Sequence, residues 1–344
     1  MVNKSYFLIT LGPGLTSTPE GRIIVVEYPG FKIVDEIVHQ VGFYKATHKG
    51  ICGASLCPEH PSADFVATTE AEIILGKLAP LQITKSRSHP IFNDIHHTSH
   101  LGEKFYTANS GVDCVDILNN DLDYEKSIPL VPLFRPSPSY LCSVMREQIV
   151  RAYRRIGGSG PSYNHLHKKL PFANLQKYVF PNYIPKSRDM RVCDCRPHFL
   201  HPNHVFVDRG DILVTLLIPG VQLNLSTGEI THRDMDRPHD GIIWNSQTVF
   251  TECVTSNIVC YEDSRPPRRI TVVPDGQKGF LRGIAQMEDR FVAGLSARRG
   301  NSFFPQARLA VVDASSEAVV DGWNVPKELG RQVFSVINVT ESYS

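Results

Sequence analysis

The stretch Ile212-Leu-Val-Thr-Leu-Leu217, Pro219-Gly220, Val221-Gln-Leu-Asn-Leu225, Thr227-Gly228 decides the fold. An apolar run of strand length enters a Pro-Gly turn, a second alternating run follows, and a Thr-Gly bend closes the unit. Branched side chains and period-two alternation select strand over helix, because a β-branched residue packs well on a pleated surface and loses rotamer freedom in a helical turn.

The unit recurs along the chain. Phe105-Tyr-Thr-Ala108, Asn109-Ser-Gly111 and Val112-Asp-Cys-Val-Asp-Ile-Leu118 form another pair. Val249-Phe-Thr-Glu-Cys-Val254 leads through Ser256-Asn257 to Ile258-Val-Cys-Tyr261, and Arg290-Phe-Val-Ala-Gly-Leu295 is followed by Arg308-Leu-Ala-Val-Val-Asp313. Earlier, Asp64-Phe-Val-Ala-Thr-Thr69 precedes Glu72-Ile-Ile-Leu75, and Phe7-Leu-Ile-Thr10 precedes Arg22-Ile-Ile-Val-Val-Glu-Tyr28. The period of about 35 to 50 residues is that of four-stranded blades around an axis. The reading is an all-β, six-bladed β-propeller, with a sandwich of similar hairpins as the alternative. A polar lead-in precedes each unit: Thr47-His-Lys-Gly-Ile51, Ile95-His-His-Thr98, Pro202-Asn-His-Val205, Pro238-His-Asp-Gly-Ile242 and Leu281-Arg-Gly-Ile284. These are expected to be loops that bring polar residues to the channel mouth.

Composition agrees with one large folded domain over 1–344. The chain has 344 residues, 36 basic against 35 acidic side chains, a net charge of +1, 42% hydrophobic residues, 24 Gly and 24 Pro. That balance excludes a disordered chain or a general nucleic-acid coat, which need a large net charge or too little apolar surface to bury. No run reaches the roughly 18 apolar residues that cross a bilayer, and Met1 to Gly14 makes a poor secretory signal, so a cytoplasmic protein with no membrane role is expected. Cys52, Cys57, Cys114, Cys142, Cys193, Cys195, Cys253 and Cys260 read as buried free thiols, not as a disulfide framework.

The sequence resembles the six-bladed propeller superfamily of NHL-repeat, strictosidine-synthase-like and SMP-30/gluconolactonase-like proteins. The residues that carry the resemblance are Pro238-His-Asp-Gly-Ile-Ile-Trp244, Asn203 with Asp208-Arg-Gly-Asp-Ile-Leu-Val-Thr215, and Tyr106-Thr-Ala-Asn-Ser-Gly111 leading to Asp116-Ile-Leu118. The SMP-30-like resemblance implies a divalent cation held at Asn203 and Asp240, with Asn109 as a further position. The strictosidine-synthase-like resemblance implies a metal-free condensation that needs a buried Glu, for which Glu252 and Glu70 are the candidates.

One segment breaks the rhythm. Residues 135–196 form an insert in which Tyr140 to Ile156 reads as an amphipathic helix, with Leu141, Val144, Met145, Ile149, Ala152 and Ile156 on one face. A long excursion from a repeat protein acts as a lid, an interface or a substrate wall, and here it is expected to wall the channel mouth. It is also basic and aromatic. That composition suits a solvated face, a surface for an anionic ligand or single-stranded nucleic acid, or a homodimer contact, with no nucleic-acid role favoured for the molecule.

The histidines give the chemistry. His48, His97, His204 and His239 occupy equivalent lead-in positions, with His96, His100 and His201 nearby. Lead-ins converge at one end of a propeller channel, so these residues are candidate metal ligands. Imidazole suits Fe(II) or Zn better than Ca, which prefers oxygen. Asp94, Asp240 and Glu252 are candidate acceptors for the second ring N–H of such a ligand. Asp240, Arg282 and Glu252 are the catalytic candidates, with Arg282 as the anchor for a substrate carboxylate. The expectation is a metal-dependent hydrolase, lyase or oxygenase acting on a small organic substrate. The alternatives are a non-catalytic propeller that binds protein partners and the metal-free condensing enzyme.

Overall fold

Short strands rich in Val, Ile and Phe, each too small to bury both faces alone, stack their sheets radially in the computed structural model. It describes residues 4–13, 20–42, 49–135, 137, 139–140, 189–192, 198–262, 265–273, 279–297 and 305–343. Their strands form six four-stranded antiparallel sheets. The innermost strands are Val333–Asn338 in blade 1, Gly53–Leu56 in blade 2, Ile95–Leu101 in blade 3, Pro202–Asp208 in blade 4, Pro238–Trp244 in blade 5 and Phe280–Met287 in blade 6. Each inner strand packs on the next around the ring, and blade 6 meets blade 1. Blade 1 takes its inner strand from the C-terminal end and its other three from Ser5–Leu11, Glu20–Tyr28 and Lys32–Gln40, so the two ends of the chain latch the ring.

The core lies between blades. Phe65, Ile74 and Leu8 are buried between blades 1 and 2, Phe92, Phe105 and Val66 between blades 2 and 3, and Phe291, Val249 and Trp244 between blades 5 and 6. Each blade thus depends on its neighbour for its buried face. No helix among the described residues is long and apolar enough to cross a membrane.

One sequence expectation changes here. Four of the five lead-ins are strand, not loop: Ile95-His-His-Thr98, Pro202-Asn-His-Val205, Pro238-His-Asp-Gly-Ile242 and Leu281-Arg-Gly-Ile284 lie inside inner strands. The expected helix at Tyr140–Ile156 and most of the 135–196 insert fall outside the described residues, as do the homodimer and basic-surface readings placed on it. The described edges of the insert attach near one end of the channel. Tyr140 Oη donates to the Phe199 carbonyl at 2.9 Å, and Asn93 Nδ2 donates to the Met190 carbonyl.

The feature that builds the channel is a repeated bulge. Pairing of the inner strand with the second strand skips one residue at His96 in blade 3, Asn203 in blade 4, Gly283 in blade 6 and Phe334 in blade 1, and two at Asp240-Gly241 in blade 5. A bulge re-aims the side chains around it and tightens the local twist, so chemistry-bearing residues meet at one level of the axis. Gly283 is needed there because its φ is +71° and a Cβ would come within 2.8 Å of the Ser335 backbone. Asp240 adopts φ 62° at its own bulge without that freedom.

Candidate functional site

The bulge divides the histidines into two groups. His97 and His204, one residue past it in blades 3 and 4, form a close, tilted pair with ring centroids 3.7 Å apart and planes 30° apart. His97 Nε2–H donates to the Ala54 carbonyl at 3.0 Å, and its Nδ1 accepts from the Val205 N–H at 3.4 Å. His204 Nε2–H donates to the Gly241 carbonyl at 3.2 Å. Both rings bridge to backbone on other blades. Burial lowers the His97 imidazole to about 4 and holds His204 well below its ordinary value, so both are neutral. Both His97 ring nitrogens are engaged, and the pair braces the channel instead of opening toward its mouth.

The second group lies on the lead-in side. His239 is buried, and its Nδ1–H donates to Asp240 Oδ1 at 3.2 Å. Its Nε2 has no partner. Asp240 also accepts from Thr251 Oγ1 at 2.6 Å and from the Gly283 N–H at 2.8 Å. Burial alone would raise the Asp240 carboxyl, but His239 and the hydrogen bonds outweigh it and bring it to about 2. The result is a carboxylate-oriented imidazole with a free nitrogen.

His96 Nε2 lies 2.8 Å from Lys49 Nζ and 3.4 Å from Asp94 Oδ1. An ammonium can only donate, so His96 Nε2 accepts and its proton sits on Nδ1. Nδ1 is buried and unpaired. Lys49 also forms a tight ion pair with Asp94. Burial would raise the Asp94 carboxyl, but Lys49 and His96 hold it well below the usual carboxylate range.

Asp94 meets two further histidines that precede blade 4. One ligand-capable atom from each of Asp94, His198 and His201 lies within 4.8 Å of the others. His198 Nδ1 and His201 Nδ1 are 2.7 Å apart, and His201 packs edge-on against His96 with centroids 4.8 Å apart. Burial and the neighbouring imidazoles keep His201 well below its ordinary value, hence neutral and fit to ligate. Asp113 positions this segment by accepting from the Phe199, Leu200 and His201 N–H groups at 3.0, 3.2 and 2.9 Å. Asp113→Ala would leave those donors without their acceptor, and urea unfolding should show a loss of about 2 kcal/mol. A loss under about 0.5 kcal/mol would mean that the cradle does not hold the loop.

Arg282 of blade 6 stacks on Phe280 and Phe334, its guanidinium carbon 4.2 and 5.0 Å from the ring centroids. Its Nε is buried without a partner, and no carboxylate among the described residues forms an ion pair with it. Burial pushes the nearby Cys253 thiol up to about 12, which removes thiolate chemistry from this position.

The remaining candidates stand apart. Glu252 accepts from the Asp236 N–H, Thr255 Oγ1 and Asn257 Nδ2 at 3.0, 2.9 and 3.0 Å, and from Arg269 at 3.3 Å. It clamps the turns of blade 5. Glu70 is buried in the turn between the second and third strands of blade 2. Asn109 has its amide donating to the Ile91 carbonyl and Asp116, and its oxygen accepting from the Asn93 N–H. Asn203 Nδ2 donates to the Pro238 carbonyl at 2.8 Å, leaving Oδ1 unpaired at the bulge. His48 lies outside the described residues. The sequence places His201 near the histidine register and Asp94 among the orienting carboxylates, but its pattern does not mark His198 or Lys49. The signal available was the His198-x-x-His201 spacing beside the blade 4 lead-in.

No protein-family model matches the chain, and no curated protein does. Solved structures do resemble it. A Bacteroides caccae protein of unknown function is 9% identical with a TM-score of 0.56, covering 98% of this chain and 99% of its own. A structure of a nidogen/laminin complex is 11% identical with a TM-score of 0.54, covering 98% of each chain. Virginiamycin B lyase from Staphylococcus aureus is 10% identical with a TM-score of 0.45, covering 82% of this chain and 72% of its own. At these identities the likeness is one of propeller fold.

Proposed function

We propose that the chain is a metal-dependent enzyme acting on a small organic anion at the lead-in end of the channel. The observation that carries this is the clustering of Asp94, His198 and His201 ligand atoms within 4.8 Å. Two imidazoles and one carboxylate make a donor set that suits Fe(II) or Zn better than Ca, which prefers oxygen, and it leaves coordination positions open. Such an ion would supply Lewis acidity toward a substrate oxygen.

The chain's own residues supply the rest. His239 Nε2, with Nδ1–H held by Asp240, takes a proton from the substrate or a water and returns it. His96 Nδ1–H and Arg282 Nε–H are unpaired donors that favour an anionic group, and bonding to such a group relieves the cost of leaving them buried without partners. Hydrolysis, elimination and oxygenation all use this set, and the carboxylate end of the substrate is assigned to Arg282.

Calorimetric titration with Zn²⁺ tests the reading. One site is expected, with affinity at least about a hundredfold weaker in His198→Ala and in His201→Ala. Equal affinity in both variants would remove the metal centre.

A further inference from the structure

Past the bulge, the later parts of the inner strands enclose a cavity of about 440 Å³. It falls within the range of small-molecule pockets, roughly 300–1,000 Å³. Its walls are the later parts of the inner strands, including Leu56, Phe206, Ile242, Ile284 and Ile337, and the His97–His204 pair also lines it.

Most polar groups of this wall are already engaged by the protein, the Gln286 side-chain amide and the Glu288 carboxylate excepted. Ser55 Oγ donates to the Thr98 carbonyl at 2.7 Å and Ser99 Oγ to the Val205 carbonyl at 2.5 Å. Ser335 Oγ accepts from the Ala54 N–H at 3.0 Å. Asn338 donates to the Gln286 carbonyl at 2.8 Å and accepts from Thr340. His97 and His204 Nε2 donate to backbone carbonyls. The lumen therefore offers apolar contact and little free hydrogen bonding. Leu56 and Ile243 remain 39% and 37% exposed on its wall, and Glu288 is the ionisable group there besides Asp240 and the histidines.

We propose that this lumen is a second binding site, and that it takes an uncharged, largely apolar small molecule of two or three rings. An anion is disfavoured because Glu288 and Asp240 face it and no cation lines it. A strongly polar ligand is disfavoured because desolvation would find few partners in return. The site is independent of the metal reading.

The test uses the whole protein and the neutral dye N-phenyl-1-naphthylamine. Its fluorescence should rise with saturable, one-site binding, and the anionic dye 8-anilinonaphthalene-1-sulfonate should bind at least about tenfold more weakly. Leu56→Glu and Ile243→Glu should each weaken the neutral dye at least about tenfold, while their partial exposure leaves thermal stability near that of the parent. His201→Ala should leave dye binding unchanged. No saturable binding below about 100 µM, or binding indifferent to both wall variants, would overturn the proposal. Leu56→Gln and Ile243→Gln provide uncharged polar versions if either glutamate variant loses its circular dichroism; binding as tight as the parent's in both would equally overturn it.

Discussion

Asp240→Ala should lower the unfolding free energy by about 3–5 kcal/mol, because it leaves the buried His239 and Gly283 donors without an acceptor and Thr251 with only the His239 carbonyl at 3.2 Å. Asp240 ties the bulge of blade 5 to that of blade 6, so the loss falls on the ring itself. A pH dependence accompanies it. The folded carboxyl titrates at about 2, below the roughly 3.9 of an unfolded Asp. A carboxyl lowered by folding stabilises the native state fully above the unfolded value, and that contribution disappears as pH falls through the folded one. The parent should therefore lose on the order of 2–3 kcal/mol from this group between about pH 5 and pH 2, and Asp240→Asn should lack that part of the slope. Urea unfolding at several pH values measures both. An Asp240→Ala loss under about 1 kcal/mol would show that the carboxylate does not hold the bulge.

Lys49→Met should act in opposite directions on stability and on metal affinity. Lys49 pairs with Asp94, and both side chains are largely shielded, at 18% and 12% relative exposure. Without the ammonium the Asp94 charge is left with imidazoles alone beside it, His96 at 3.4 Å and the His198–His201 pair, and metal-free protein should lose about 3 kcal/mol. The same change removes a positive charge from beside the proposed cation. Zn²⁺ affinity should rise at least about tenfold, and saturating metal should restore much of the lost stability. Paired thermal scans with and without Zn²⁺ read this directly. If both stability and affinity fall, Lys49 organises the ligands instead of competing for Asp94.

The propeller was legible because the second and third strands of each blade are apolar runs separated by turn residues, as in Asp211–Leu216 and Val221–Asn224. Inner strands were harder to see. Ile95-His-His-Thr98 and Pro238-His-Asp-Gly-Ile242 carry polar residues at a bulge, which breaks the two-residue period that identifies a strand. The same bulge explains why equal sequence register did not mean equal facing. His97 and His204 do share a level, but they turn to the backbone of other blades, whereas His96 in the skipped position joins Lys49 and Asp94 near the mouth. Asp240 as the carboxylate partner of His239 was legible from adjacency. Asp94 was legible only as an orienting group, and its meeting with His198 and His201 depends on the Asp113 cradle. A cradle of backbone N–H groups leaves no mark in side-chain pattern. Glu252 was singled out for its acidity near the channel, but nothing in its local sequence shows the turn donors that engage it.

The central claim is that Asp94, His198 and His201 share one transition-metal ion, and diffraction from a Zn²⁺-loaded crystal at the zinc absorption edge tests it most directly. One anomalous peak is expected about 2.0–2.2 Å from a nitrogen of each histidine and an oxygen of Asp94. A fully loaded crystal whose peak lies elsewhere, or that shows none between these residues, would contradict it.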